Sequence, residues 1–224
     1  MPCEDSRIGA VTGLRAEARL LTGCAVACGG GDPDRAEVLA RRLLAEGAAG
    51  MVSFGIAGGL RDDLRPGTLV VGEWVVSGEA VLACDEAWSL RLLGQLPGSI
   101  GGTVVGARQA VTTPAAKRRL ARRWQAVSVD LESAAVARVC AQAGKPFAVL
   151  RAIADPVERE IPAPALAGLD LQGRMQPGAV AARLLRQPQH LLGLVRLGWD
   201  SRAALTALGR AVRLLGPSLG FQTL

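Results

Sequence analysis

The chain of 224 residues is 50% hydrophobic and 21% charged, with 28 Gly, 12 Pro, 3% aromatic residues and no Tyr, which is enough apolar length to bury one sizeable core and excludes a disordered or fibrous protein. Its longest uncharged stretch, residues 92–107, is 16 residues long and is interrupted by Gly94, Gly98, Gly101, Gly102 and Gln95, too short and broken to cross a bilayer. The formal charge of +6 is segregated: residues 1–173 balance 19 basic against 19 acidic side chains, whereas residues 174–224 hold seven Arg against Asp200 alone.

Glu4 and Asp5 stand where a secretory signal wants positive charge, and the chain runs directly into a core-like apolar segment, so a cytoplasmic protein is expected. Residues 7–12 read as a first strand, followed by a helix with Leu14, Ala18 and Leu21 on its apolar side. Residues 24–28 form a second strand. Gly29-Gly30-Gly31 then turns into a helix running to about Gly47, with Asp32 as its cap and Pro33 in its first turn. A strand over 50–54 breaks into the glycine-rich segment 55–59, and the stretch 68–105 reads as several further strands with turns at Ser77-Gly78 and Pro97-Gly98. Residues 126–130 make a strand that leads into a helix over 132–143, stopped by Gly144, and residues 147–154 make a last strand closed by Asp155-Pro156. This alternation predicts one α/β domain around a mainly β core, spanning 1–173, with 174–224 an Arg-rich helical segment of the same domain.

In that C-terminal segment Leu205, Leu208, Val212 and Leu215 recur at helical spacing, with Arg202, Thr206, Arg210 and Arg213 on the other side. A basic amphipathic helix of this kind can pack on the core or dock on an anionic membrane surface. Nucleic acid fits less well, because Trp199 and Phe221 are the only aromatics there and form no stacking platform. The cysteines Cys3, Cys24, Cys28, Cys84 and Cys140 are odd in number, and the Cys24-Cys28 spacing suits neither a redox nor a zinc pair, so mostly buried thiols are expected. The lone His190 is remote in sequence from every acid or nucleophile cluster, which argues against Ser-His-Asp, Cys-His and histidine metal chemistry; no metal is expected.

The acids carry the functional signal. Glu17 follows the first strand within a helical turn, Asp130 and Glu132 stand at the exit of a strand, and Asp155 ends the next. Ligands of α/β sheets bind beyond the carboxyl ends of strands, so these groups can converge on one pocket with residues 55–59. Paired carboxylates without histidine suit glycosidic cleavage, one protonated by burial and acting as acid, the other activating water or stabilising a sugar cation. Singly, each has a plainer reading: Asp155 as a turn former before Pro156, Glu132 as a first-turn acid, Glu17 as a solvated helix residue.

Four segments, residues 8–17 (IGAVTGLRAE), 53–60 (SFGIAGGL), 129–137 (VDLESAAVA) and 150–155 (LRAIAD), resemble the successive motifs of the nucleoside phosphorylase/nucleosidase superfamily, in order and over about residues 7–156. Among its branches, residues 54–59 and the Arg-rich tail most resemble the hopanoid-biosynthesis-associated phosphorylases, or adenosylhopane nucleosidases. The resemblance implies a single domain with a central mixed β-sheet flanked by helices. It implies that Asp155 protonates adenine at N7, that Glu132 binds the ribose hydroxyls beside Leu131 and Asp130, and that Glu17 holds and activates the attacking water. Ala57 and Gly58 would line the nucleoside, and Val111 aligns with the backbone that reads the adenine edge.

Phosphorylases of the superfamily usually carry an arginine before the glycine segment, and Ser53 stands there instead, which favours water over phosphate while leaving phosphate open as a co-substrate. No other cofactor is implied. Leu131 replaces a common methionine and Ala154 a frequent serine. Residues 31–36 resemble a phosphate-binding turn of bacterial purine nucleoside phosphorylases, but their place after the second strand makes a helix cap the expected role. The resulting expectation is release of adenine from adenosylhopane, a lipid met at the inner face of a membrane, by a homo-oligomer. A nucleosidase for soluble 5′-thioadenosines and a catalytically silent nucleoside-binding or membrane-recruitment module are the alternatives.

Overall fold

The computed structural model describes residues 8–166, 170, 173–174 and 176–222; Arg7 and Cys3 lie outside them. Five consecutive buried residues form β1 (Ile8–Thr12), which pairs in parallel with β2 (Ala25–Cys28) on one side and with β3 (Gly50–Gly59) on the other. The helix expected after β1 is a single turn, α1 (Arg15–Ala18), with Glu17 turned inward. Asp32 caps α2 (Pro33–Ala45) as expected, its Oδ1 accepting from the backbone N–H groups of Asp34 at 2.9 Å and Arg35 at 3.2 Å.

Residues 55–59 do not break their strand. They continue β3, which shifts register between Ala57 and Gly58 and changes partner, pairing antiparallel with β7 (Ala126–Asp130) at Gly58–Val129 and Gly59–Ser128. Between them the chain forms β4 (Leu69–Ser77), β5 (Ala80–Ala83), α3 (Glu86–Gln95), β6 (Ile100–Gly106) and α4 (Pro114–Trp124). The helix α3 stands where only strands were expected. Its signal is Trp88, Leu92 and Leu96, buried at spacings of four, with the side chain of Asp85 accepting from the Trp88 N–H at 2.8 Å. The helix α4 was likewise marked by Thr113, whose hydroxyl accepts from the Ala116 N–H, and by Pro114 in its first turn.

The helix α5 (Ser133–Ala143) starts one residue later than expected, leaving Glu132 at its cap, and Gly144 ends it with φ +60°. It returns the chain to β8 (Phe147–Asp155), which is parallel to β3 and antiparallel to β4. With β4 parallel to β6 and β6 parallel to β7, the pairings β3–β8–β4–β6–β7–β3 close on themselves, so the mixed sheet curls into a ring with β1 and β2 as an extension. Alternation along β8 divides the core: Ala148, Leu150, Ala152 and Ala154 pack with α3 and the C-terminal helix, whereas Phe147, Val149 and Ile153 pack with α2 and α5. Arg151 and Asp155 share the second face by the same period of two.

After α6 (Ala163–Leu166) come α7 (Pro177–Arg186) and α8 (Leu191–Leu215). Ala204, Leu208, Ala211 and Leu215 of α8 are buried, so the later half of the tail helix packs on the core, with Arg202, Arg210 and Arg213 exposed. The end of the chain is stitched in as well: the Trp88 indole N–H donates to the carbonyl of Leu219 at 2.8 Å, and its ring meets Phe221 at 4.7 Å. Among the described residues no helix is long and apolar enough to cross a membrane.

Candidate active site

At the ends of β1, β3, β7 and β8 lies a pocket of about 170 Å³. Its lining includes Glu17, Ala57, Gly58, Val111, Asp130, Leu131, Glu132 and Asp155, so every candidate residue read from the sequence faces one cavity, together with Gly13, Leu14, Gly31, Ile56, Val129 and Ile161. Gly31 reaches the pocket from the turn before α2, whose N-terminus is occupied by the Asp32 side chain.

Three glycines make room for three carboxylates. A Cβ on Gly55, where φ is +156°, would stand 2.6 Å from the Glu17 carboxyl carbon; one on Gly13 would stand 2.6 Å from Glu132 Oε1, and one on Gly58 3.0 Å from Asp155 Oδ2. The glycine-rich motifs are therefore recesses that let acids approach the strand backbone.

Each acid is held differently. Glu17 Oε2 accepts from the backbone N–H groups of Gly13 at 2.9 Å and Leu14 at 2.7 Å, and its Oε1 accepts from Ile56 N–H at 2.8 Å. Burial pushes its pKa up, against the pull of Arg151 and these donors. Glu132 is 4% exposed. Burial raises its carboxyl to about 7, opposed by the Arg151 guanidinium at 3.3 Å and reinforced by the nearby Asp130 and Glu17. Asp155 is raised by burial too, while Lys117, with Nζ 2.5 Å from Oδ2, pulls it down.

Two cations organise this set, and neither was among the candidates read from the sequence. Arg151 is fully buried; its Nε lies 2.6 Å from Asp130 Oδ2 and its Nη2 donates to Ser53 Oγ at 2.5 Å and to Ser133 Oγ at 3.2 Å. Asp130 in turn accepts from the N–H and hydroxyl of Ser133 at the start of α5. Ser53 is thus an acceptor for an arginine supplied by β8. Lys117, also fully buried, donates to the carbonyls of Asp155, Pro156 and Arg159 at 3.2, 2.9 and 3.0 Å, tying the strap after β8 to α4. Arg151 had a legible signal, a charge inside an apolar strand and in phase with Asp155; Lys117 sits in a run of basic residues and had none.

Among the described residues no group of three His, Cys, Asp or Glu is arranged to hold a metal. The pocket brings together the raised carboxyls of Glu17, Glu132 and Asp155, a set that suits acid-assisted glycosidic cleavage.

Comparison with curated protein sequences returns no match. A family model described as the phosphorylase superfamily matches residues 21–187. The chain belongs to the phosphorylase superfamily. Solved structures with the same fold include 5′-methylthioadenosine/S-adenosylhomocysteine nucleosidase from Neisseria meningitidis in complex with methylthio-immucillin-A, at 14% identity and a TM-score of 0.71 over 96% of this chain and 100% of that one. The nucleosidase of the same description from Helicobacter pylori, with butyl-thio-DADMe-Immucillin-A, has 17% identity and a TM-score of 0.65 over 94% and 99%. Futalosine hydrolase of Helicobacter pylori has 20% identity and a TM-score of 0.61 over 67% and 88%. Within the phosphorylase superfamily fold, Glu17 lies before the matched span and Glu132, Arg151 and Asp155 lie inside it.

Proposed function

We propose that this protein is a nucleosidase that cleaves the N-glycosidic bond of an adenine nucleoside by water, and that its substrate is adenosylhopane. The observation that carries the hydrolytic reading is electrostatic. The ionisable groups lining the pocket are carboxylates, Glu17, Asp130, Glu132 and Asp155, and the buried cations among the described residues, Arg151 and Lys117, are both already ion-paired with them. A carboxylate-lined cavity stabilises a ribosyl cation and disfavours a phosphate anion.

In this reading Asp155, whose pKa burial raises against the pull of Lys117, gives its proton to N7 of adenine, so that the base leaves neutral as the C1′–N9 bond breaks. Glu132 accepts hydrogen bonds from the ribose hydroxyls, and Leu131 packs on the sugar. Glu17 holds the water that adds to C1′ and takes its proton. Val111, Ile56 and Ala57 supply apolar walls and backbone edges for the purine. The pocket volume of about 170 Å³ is too small for a triterpene, which would stay outside it.

That same volume favours a second reading, a small soluble 5′-thioadenosine as substrate. The test is adenine release from adenosylhopane in detergent or vesicles, with and without phosphate, beside methylthioadenosine. Turnover of the lipid nucleoside without phosphate is expected. Turnover of methylthioadenosine alone would assign the soluble substrate, and an absolute need for phosphate would make the enzyme a phosphorylase.

A further inference from the structure

The solvent face of the C-terminal hairpin carries large apolar side chains that nothing in the fold covers. Leu185 on α7 is 85% exposed, and Leu192 and Trp199 on α8 are each 71% exposed, with Leu191 and Val195 also open. On α8 the positions 192, 195, 199, 202, 206 and 210 follow one helical stripe, opposite the buried Ala204, Leu208, Ala211 and Leu215. The stripe is apolar at its start and basic beyond Trp199, where Arg202 and Arg210 border a shallow hollow with Trp199 and Pro66. Arg183, Arg186 and Arg196 are exposed around the apolar end. The segment's one acid, Asp200, is turned away and paired with Arg159 at 3.1 Å.

We propose that this hairpin is a monotopic docking surface for an anionic lipid bilayer, with Leu185, Leu192 and Trp199 entering the headgroup boundary and the arginines meeting lipid phosphates. Three observations favour a bilayer over a second copy of the chain. The exposed charge is of one sign, so two such faces brought together would repel. Leucine, tryptophan and arginine on one helix face is the composition that a water–lipid boundary selects. The helix also lies flat along the protein through its buried half, which presents the stripe side-on, and its polarity does not allow it to span.

The surface is joined to the pocket. Ile161 lines the pocket, and its neighbour Pro162 packs on α8 so closely that a Cβ on Gly193 would stand 2.9 Å from Pro162 Cγ. The Arg159–Asp200 pair fastens the same strap, which Lys117 ties to Asp155. A hydrophobic substituent that left the pocket on its Ile161 side would therefore be directed toward α8 near Gly193. This last step rests on the lipid-nucleoside reading; the docking itself does not.

The test uses the whole chain without any nucleoside, because deleting the tail would strip Leu208, Leu215 and Phe221 from the core. Binding is measured to phosphatidylcholine vesicles and to vesicles of equal parts phosphatidylcholine and phosphatidylglycerol. Wild-type protein is expected to bind the anionic vesicles preferentially and to release in high salt. The variant Arg196→Gln/Arg202→Gln/Arg210→Gln should lose about a hundredfold in partitioning to anionic vesicles. The variant Leu185→Ser/Leu192→Ser/Trp199→Ser should lose binding with an unchanged melting temperature. Absence of wild-type binding to anionic vesicles would overturn the proposal, as would a serine variant that still binds them but sediments as a smaller species than wild type, which would make the face an interface between copies.

Discussion

The ammonium of Lys117 lies 2.5 Å from the Asp155 carboxylate, and both groups are shut away from solvent. The pair opposes the effect of burial on Asp155, so the acid is poised between a carboxylate held by lysine and a carboxylic acid able to donate.

This poise has a pH signature. Removing Lys117 as Lys117→Met takes away the group that lowers the Asp155 pKa, so the alkaline limb of kcat/KM should move to higher pH while kcat falls. Stability should drop by about 3–5 kcal/mol, because one partner of a buried pair and three carbonyls lose their cation. A pH-rate profile and a denaturant melt check both parts.

Asp155→Asn keeps the shape of the site and removes the proton. Adenine release should fall by about a hundredfold to ten-thousandfold, the range for loss of a general acid, with the nucleoside still bound. Single-turnover adenine release together with calorimetric binding separates the two effects.

Burial holds Glu132 at about 7, above the usual 4.5. Between those values the folded chain keeps a proton that the unfolded chain gives up, so stability falls as pH rises through this window and stays lower above it. Glu17 and Asp155, also raised, act in the same sense. Glu132→Gln cannot ionise, and its melting temperature should decline less than that of the wild type between about pH 5 and about pH 8. Activity should fall at both, because the amide accepts more weakly than a carboxylate in the proposed ribose contact.

The glycine recesses make a steric prediction. Gly55→Ala places a methyl group 2.6 Å from the Glu17 carboxyl at a positive φ of +156°, and Gly13→Ala, with no such backbone strain, places one 2.6 Å from Glu132 Oε1. Each should cost about 1–3 kcal/mol of stability. In kinetics Gly55→Ala should lower kcat, through the water-holding role proposed for Glu17, and Gly13→Ala should raise KM, through the ribose contact proposed for Glu132.

Much of the fold was legible because its strands are short buried runs and its helices carry ordinary caps: Asp32 before Pro33, and Gly144 after α5. The strand through Gly55–Gly59 was not, because glycine signals a break locally, and it is the continued pairing with β8, joined by β7 at Gly58 and Gly59, that keeps the chain extended. Helix α3 was hidden by glycines on both sides of it, although Trp88, Leu92 and Leu96 keep helical spacing. The acids of the site were legible as acids at strand ends. Their cations were not equally so: Arg151 breaks an apolar pattern and in that way announces a buried partner, whereas Lys117 belongs to a basic helix and is met inside by the Asp155 carboxylate and the carbonyls of Asp155, Pro156 and Arg159.

In the proposed reaction water, and not phosphate, receives the ribosyl group. The most direct measurement is mass analysis of the sugar product from a turnover run with phosphate present, on adenosylhopane and on methylthioadenosine, with Asp155→Asn as the blank. A free ribosyl product beside stoichiometric adenine, at a rate indifferent to phosphate, is the predicted result. A ribosyl 1-phosphate, absent from the blank and proportional to adenine, would contradict the account and assign the carboxylate-lined pocket to phosphorolysis.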